Sequence, residues 1–158
     1  MKTIQWKSPI GMMYLAASET GLAALAFGEN WAGVKARLPQ LEKGESPLLK
    51  AAVRELEEYF AGKRKTFSLP LDLQGTEFQK RAWSALLEIP FGKTATYSEQ
   101  ARQMKKPKAV RAVGAANGRN PVCIVVPCHR VVGANGSLTG YAGGLAQKRA
   151  LLELEGIR

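Results

Sequence analysis

Apolar and polar positions alternate along the first thirty residues. Ile4 and Trp6 stand between polar neighbours, Met12 to Ala17 forms a second apolar run, Glu19-Thr20-Gly21 interrupts it, and Leu22 to Phe27 resumes it. A period of two with turn residues between the runs predicts strands joined into a hairpin sheet. The period changes at Ser46-Pro47, an N-cap residue followed by a proline suited to the first helical position. Leu49, Val53, Leu56 and Phe60 then share one helical stripe, which Gly62 ends. Residues 63–74 read as extended, with Pro70 inside and Gly75 after them, and predict a domain boundary. Residues 1–73 are expected to form a small α/β unit and residues 74–158 a second unit.

The second unit is helical in pattern. Thr76 and Gln79 have capping-box spacing, and Phe78, Ala82, Ala85 and Leu86 supply a buried face. Ile89-Pro90-Phe91-Gly92 ends that helix, and a second capping box, Thr96 to Glu99, opens a short one at Tyr97. Lys105-Lys106 predicts a turn, Pro107 can start the next helix, and Lys108 to Asn117 would run to a stop at Gly118. Short helix, basic turn and second helix outline a helix-turn-helix, a pattern that many small bundles share. The second helix carries Ala109, Ala112, Gly114, Ala115 and Ala116, so it can press its backbone close to another surface. A neighbouring helix or a groove lined with phosphates would both suit it.

Charge moves the balance towards the groove. The chain carries a net charge of +10 and has a pI near 9.9, and from Ala101 onward ten Lys and Arg face only Glu153 and Glu155. Such an excess favours a polyanionic partner through Coulomb attraction and counterion release, although it also suits a basic protein with no such partner. Two cysteines and one histidine are too few for a usual zinc site. If Val122 to Val126 is a strand, Cys123 and Cys128 point to opposite faces, which argues against a disulfide between them. The run from Ile10 to Ala17 after Lys7 is short and broken by Gly11, so it reads as a strand and not a signal peptide.

Candidate chemistry centres on Cys128, which lies after Pro127 and before His129, the chain's single histidine. An unperturbed thiol with a pKa of about 8.5 is only a few per cent ionised at neutral pH, so a nucleophilic role needs a base. In an extended segment neighbouring side chains diverge. His129 would then need a turn, or a bridging water, to take the Cys128 proton. A partner for His129 is sought on the last helix, at Glu153 or Glu155; spacing alone favours a structural histidine and a surface glutamate over such a pair.

The run Asn120-Pro121-Val122-Cys123-Ile124-Val125-Val126-Pro127-Cys128-His129-Arg130-Val131-Val132, with Tyr141-Ala142-Gly143-Gly144, Leu152 to Gly156 and Arg111-Ala112-Val113-Gly114, resembles the bacterial-type O6-alkylguanine-DNA alkyltransferases. The resemblance is continuous from about Thr76 to Gly156 and looser before it. It implies an α+β fold, with a ribonuclease H-like N-terminal domain and a C-terminal domain containing a winged helix-turn-helix. It also implies irreversible, cofactor-free, single-turnover transfer of an alkyl group from O6 of guanine in duplex DNA, and more weakly from O4 of thymine, to Cys128.

By the same resemblance His129 deprotonates Cys128 through a water, Glu155 orients His129, and Tyr97 assists departure of the base. Arg111 enters the base stack after nucleotide flipping, Asn120 braces the turn before the reactive segment, and Val131, Tyr141 and Ala142 belong to the pocket. Ala112, Gly114 and Ala115 with Lys108 and Arg119 meet DNA in the minor groove. Ala142 replaces a serine of some relatives, so only its backbone N–H can serve O6. Residues 1–73 lack the Cys and His with which other relatives bind zinc. A cytoplasmic monomer with no membrane association is expected. Two other readings are weighed: a non-enzymatic damage-recognition protein, which the presence of Cys128 opposes, and a cysteine hydrolase, which the adjacency of Cys128 and His129 opposes.

Overall fold

The computed structural model describes residues 1–157. The chain divides into two compact units, Met1–Gln74 and Gly75–Arg158.

In the first unit β1 (Lys2–Ser8), β2 (Gly11–Ala17) and β3 (Leu22–Phe27) form an antiparallel meander, and a two-residue β4 (Glu42–Lys43) adds in parallel to β1, giving the order β3-β2-β1-β4. The strands and turn expected from the alternating pattern are all present. Every residue of β3 is buried, because helices pack on the sheet from both α1 (Gly28–Lys35) and α2 (Pro47–Phe60). Ala16, Ala24 and Ala26 meet Val34 of α1, joined by Trp31, Leu38 and Leu41. Sequence periodicity did not reveal α1, whose apolar residues mark no clear stripe, although Trp31 stacks on Tyr14 with ring centroids 5.3 Å apart.

Ser46 caps α2 by accepting from Leu49 N at 3.2 Å, Pro47 is its first residue, and Gly62 (φ 76) stops it in the left-handed conformation that glycine adopts without a Cβ penalty. The buried stripe is Leu49, Ala52, Leu56 and Tyr59, displaced from the expected one, since Val53 and Phe60 stay half-buried. Glu55 is buried on this face and binds the extended stretch after the helix, accepting from Ser68 N and Oγ at 2.9 and 2.5 Å. That stretch lies along β3 through Leu22 N to Pro70 O and Asp72 N to Leu22 O. It comes so close that a Cβ at Gly21 would stand 2.6 Å from the Leu71 carbonyl carbon.

The second unit contains α3 (Glu77–Leu87), β5 (Ala95–Thr96), α4 (Tyr97–Gln103), α5 (Val110–Gly118), a 3-10 turn (Cys128–Arg130), β6 (Val131–Val132) and α6 (Leu145–Leu154). Both capping boxes form with reciprocal bonds, at Thr76/Gln79 and Thr96/Glu99. Ala82, Ala85, Ala101, Met104, Val113 and Ala116, with Phe78 and Val110 against them, make the core of α3, α4 and α5. Trp83, which the expected stripe omitted, is fully buried and donates its Nε1–H to Ala116 O at 2.8 Å.

Two expectations fail here. α5 starts at Val110 and not at Pro107, because Ala109 N bonds Lys106 O at 2.9 Å and closes a β-turn with Pro107 at its second position, where proline's fixed φ fits. Residues 122–126 form a tight turn and not a strand. Val125 N bonds Cys123 O, Val126 N bonds Val122 O, and Ile124 takes a left-handed φ of 70. The β-branched run predicts a strand only if a sheet edge is available to pair it. Here Asn120 pinches the segment instead, accepting from Val122 N at 2.9 Å and donating to Val126 O at 2.7 Å. The argument that placed Cys123 and Cys128 on opposite faces of a strand falls with it, although the two are not joined in a disulfide.

Candidate active site

Cys128 opens the 3-10 turn, so the backbone rotates between Cys128 and His129 and does not alternate as in a strand. Asn120 Nδ2 donates to its Sγ at 3.1 Å, which makes Asn120 both the clasp of the preceding turn and a partner of the thiol. Burial pushes the thiol up to about 11, opposed by the Asn120 hydrogen bond and the nearby Lys148 cation. At neutral pH Cys128 is a thiol and requires a base.

His129 is fully buried next to it. Its Nε2 lies 2.7 Å from Glu155 Oε2, and the same carboxylate accepts from Arg130 Nε (2.8 Å), Arg130 Nη2 (3.0 Å) and Gly92 N (3.2 Å). Facing a carboxylate, Nε2 carries the proton, so the network assigns the tautomer in which Nδ1 holds the free lone pair. Nδ1 is buried and has no protein hydrogen-bond partner among the described residues. Burial lowers the His129 pKa below its ordinary value, with Glu155 opposing, so the imidazole is neutral at pH 7 and able to accept a proton. Glu155 follows the last turn of α6, where a carboxylate meets the negative end of the helix dipole; the bidentate Arg130 offsets this.

Of the two glutamates the spacing left open, Glu155 is buried and Glu153 is exposed. A signal was available. Lys148, Leu151, Leu152 and Glu155 stand at i, i+3, i+4 and i+7, which puts both charges on the buried stripe of α6. Lys148 was missed although that stripe marks it: it is fully buried, and its Nζ donates to Val131 O at 2.6 Å and Thr139 O at 2.8 Å. Arg130, also missed as a site residue, anchors its Nη1 on Ile89 O at 2.7 Å.

Cys128 borders a pocket of about 380 Å³ walled by Tyr97, Gly114, Asn117, Gly118, Thr139, Gly140, Tyr141 and Ala142. Tyr97 donates its hydroxyl to Thr139 O at 3.2 Å, so the pocket tyrosine and Lys148 share one acceptor. Val131, expected among the pocket residues, is fully buried and is not part of these walls; it contributes its carbonyl to Lys148. The pocket has the size of a small-ligand site, and Gly114 and Gly118 of α5 reach it from the helix whose outer face carries the expected DNA residues. On that face Arg111, Ala112 and Ala115 are exposed, with Lys108 before and Arg119 after them, whereas Ala116 turns inward to the core. Among the described residues no group of His, Cys, Asp and Glu could hold a metal ion, and no helix is long and apolar enough to cross a membrane.

Comparison with known proteins agrees with this geometry. Residues 1–73 match the family model described as the ribonuclease-like domain of 6-O-methylguanine DNA methyltransferase, and residues 77–157 match that of its DNA binding domain. The chain is 51% identical over 151 residues to a methylated-DNA–protein-cysteine methyltransferase of Methanosarcina acetivorans, covering 96% of each protein. It is 46% identical to the constitutive enzyme of that name from Bacillus subtilis, over 92% of this chain and 89% of that one. The crystal structure of Mycobacterium tuberculosis OGT in complex with DNA superposes with a TM-score of 0.89 at 47% identity, covering 98% of this chain and 92% of the other. With matching models over both units, and a buried His129–Glu155 pair following Cys128 at a pocket that α5 helps to wall, the chain belongs to the 6-O-methylguanine DNA methyltransferase family.

Proposed function

We infer that this protein repairs DNA by moving a methyl or larger alkyl group from O6 of guanine onto its own Cys128. The observation that carries the reading is the hydrogen-bonded run from Glu155 through His129, ending at a buried Nδ1 with no protein partner among the described residues, in the residue that follows a thiol protonated at pH 7. A water linking Cys128 Sγ to Nδ1 conveys the thiol proton to His129. The sulfur attacks the alkyl carbon in line, the S–C bond forms as the C–O6 bond breaks, and the electron pair stays with the guanine. Guanine is a poor leaving group as an anion, so Tyr97 at the pocket wall offers it a hydrogen bond or proton. The net change is Cys128–SH plus alkylguanine to Cys128–S–alkyl plus guanine. A thioether is stable and no group here reverses it, so each molecule acts once.

O6 is unreachable within a stacked duplex, so the nucleotide is flipped into the pocket, with Arg111 filling its place. The Ala112, Gly114 and Ala115 face lets α5 lie close in the minor groove, while Lys108 and Arg119 meet phosphates. Asn120, Tyr141 and Ala142 hold the reactive segment and the flipped base. Residues 74–158 carry the reaction and residues 1–73 the smaller domain. O4-methylthymine is a weaker substrate, and the protein acts as a cytoplasmic monomer, where reducing conditions preserve the thiol. A duplex with radiolabelled O6-methylguanine tests the reading: label becomes covalently bound to protein at no more than one equivalent, and Cys128→Ala takes up none. Release of the label as free methanol would refute it.

A further inference from the structure

One wall of the pocket rests on a buried pair of amides. Gln100 of α4 is 1% exposed and Asn117 of α5 is 7% exposed, within an otherwise alanine-rich core. Gln100 Nε2 lies 3.1 Å from Ala82 O of α3 and 2.9 Å from Asn117 Oδ1, and Asn117 Nδ2 lies 2.8 Å from Gln100 Oε1. The orientation of both amides follows from the first contact. A backbone carbonyl only accepts, so the atom of Gln100 facing Ala82 O is nitrogen; the atom of Asn117 facing that nitrogen is oxygen, which leaves Nδ2 for Gln100 Oε1. Both ends of the Asn117 amide are thus committed, and the side chain cannot rotate without leaving Gln100 unpaired in the core. Asn117 also lines the pocket beside Cys128, whereas Gln100 does not.

Resting on the alkyl-transfer reading above, we propose that the Gln100–Asn117 pair is a specificity determinant that holds a fixed polar wall in the pocket and so disfavours bulky apolar alkyl groups at Cys128. An apolar group pressed against the Asn117 amide covers its remaining N–H and lone pair and returns no hydrogen bond. A methyl group is too small to demand that surface. A larger group needs the wall to move, which the reciprocal bonds oppose.

The test compares single-turnover rate constants for O6-benzylguanine and O6-methylguanine in the same duplex sequence. Their ratio is insensitive to a reduced folded fraction, which separates specificity from structural support. The double variant Gln100→Leu/Asn117→Leu removes both amides together, and its benzyl-to-methyl ratio is expected to rise about tenfold. Gln100→Met frees Asn117 without touching the pocket surface; its ratio is expected to rise by a smaller factor, and it decides the question alone if the double variant is not folded. Ratios unchanged from wild type overturn the proposal. Wild-type uptake of methyl label in the same experiment tests the alkyl-transfer reading separately.

Discussion

Glu155 serves His129, Arg130 and the Gly92 backbone at once, and this changes what its loss should do. Glu155→Gln keeps the shape but removes the charge that holds Arg130 and sets the His129 tautomer. Leaving a buried guanidinium uncompensated costs about 3–5 kcal/mol, so transfer should slow and the melting temperature should fall together; a variant slowed with an unchanged melting temperature would contradict the geometry. The pH behaviour follows from the two buried groups. His129 has a lowered pKa, so its neutral form contributes stability that is complete above its ordinary value of 6.5 and is lost as pH falls below it. Cys128 has a raised pKa, so its contribution is complete below the pH at which an ordinary thiol ionises and is lost as pH rises towards about 11. Denaturation across pH should therefore show an alkaline loss of stability that Cys128→Ala abolishes. Transfer should stay level somewhat below pH 6.5 and fall only where His129 finally protonates.

At the scale of elements, the turn between α4 and α5 is closed by Lys105 N to Arg102 O and Lys106 N to Ala101 O, with Lys105 at φ 61. This is a Schellman stop with a side chain where glycine is cheaper. Lys105→Gly should raise stability by about 1 kcal/mol in thermal melts, while weakening DNA binding through the lost charge. α5 presents Arg111 from a face otherwise almost free of bulk, as an inserted side chain requires. Arg111→Ala should slow repair of duplex DNA far more than reaction with the free modified base, and equal losses on the two substrates would rule out an extrusion role. Ile124, a β-branched residue at positive φ, is held by the turn that Asn120 clasps, so strain is stored four residues before Cys128.

At the scale of the molecule the charge is divided unequally. Residues 75–158 carry thirteen Lys and Arg against five Glu, whereas residues 1–74 carry ten against eight Asp and Glu. The exposed cations Lys105, Lys106, Lys108, Arg111 and Arg119 cluster around α5. Duplex affinity should fall steeply with salt, and Lys108→Ala should weaken binding to all sequences alike and reduce the slope of log K against log salt by about 1. An unchanged slope would place Lys108 away from phosphate.

Local chemistry was legible in the order of residues. Capping boxes, the Ser46-Pro47 start, the Gly62 stop and the hairpin pattern depend on neighbours a few residues apart, and each formed as the chain order implied. Cys128 and the motif that most marks the family resemblance lay in one continuous segment, residues 120–132. What depended on distant partners was not legible. Val122 to Val126 has strand composition but turns because Asn120 clasps it, and α5 starts late because a turn claims Pro107. Glu155 meets His129 across 26 positions of chain, Lys148 finds its two carbonyls, and Gln100 pairs with Asn117 only where α4 crosses α5. Buried polar groups must find partners wherever the packed elements bring them, and that requirement acts through space and not along the chain.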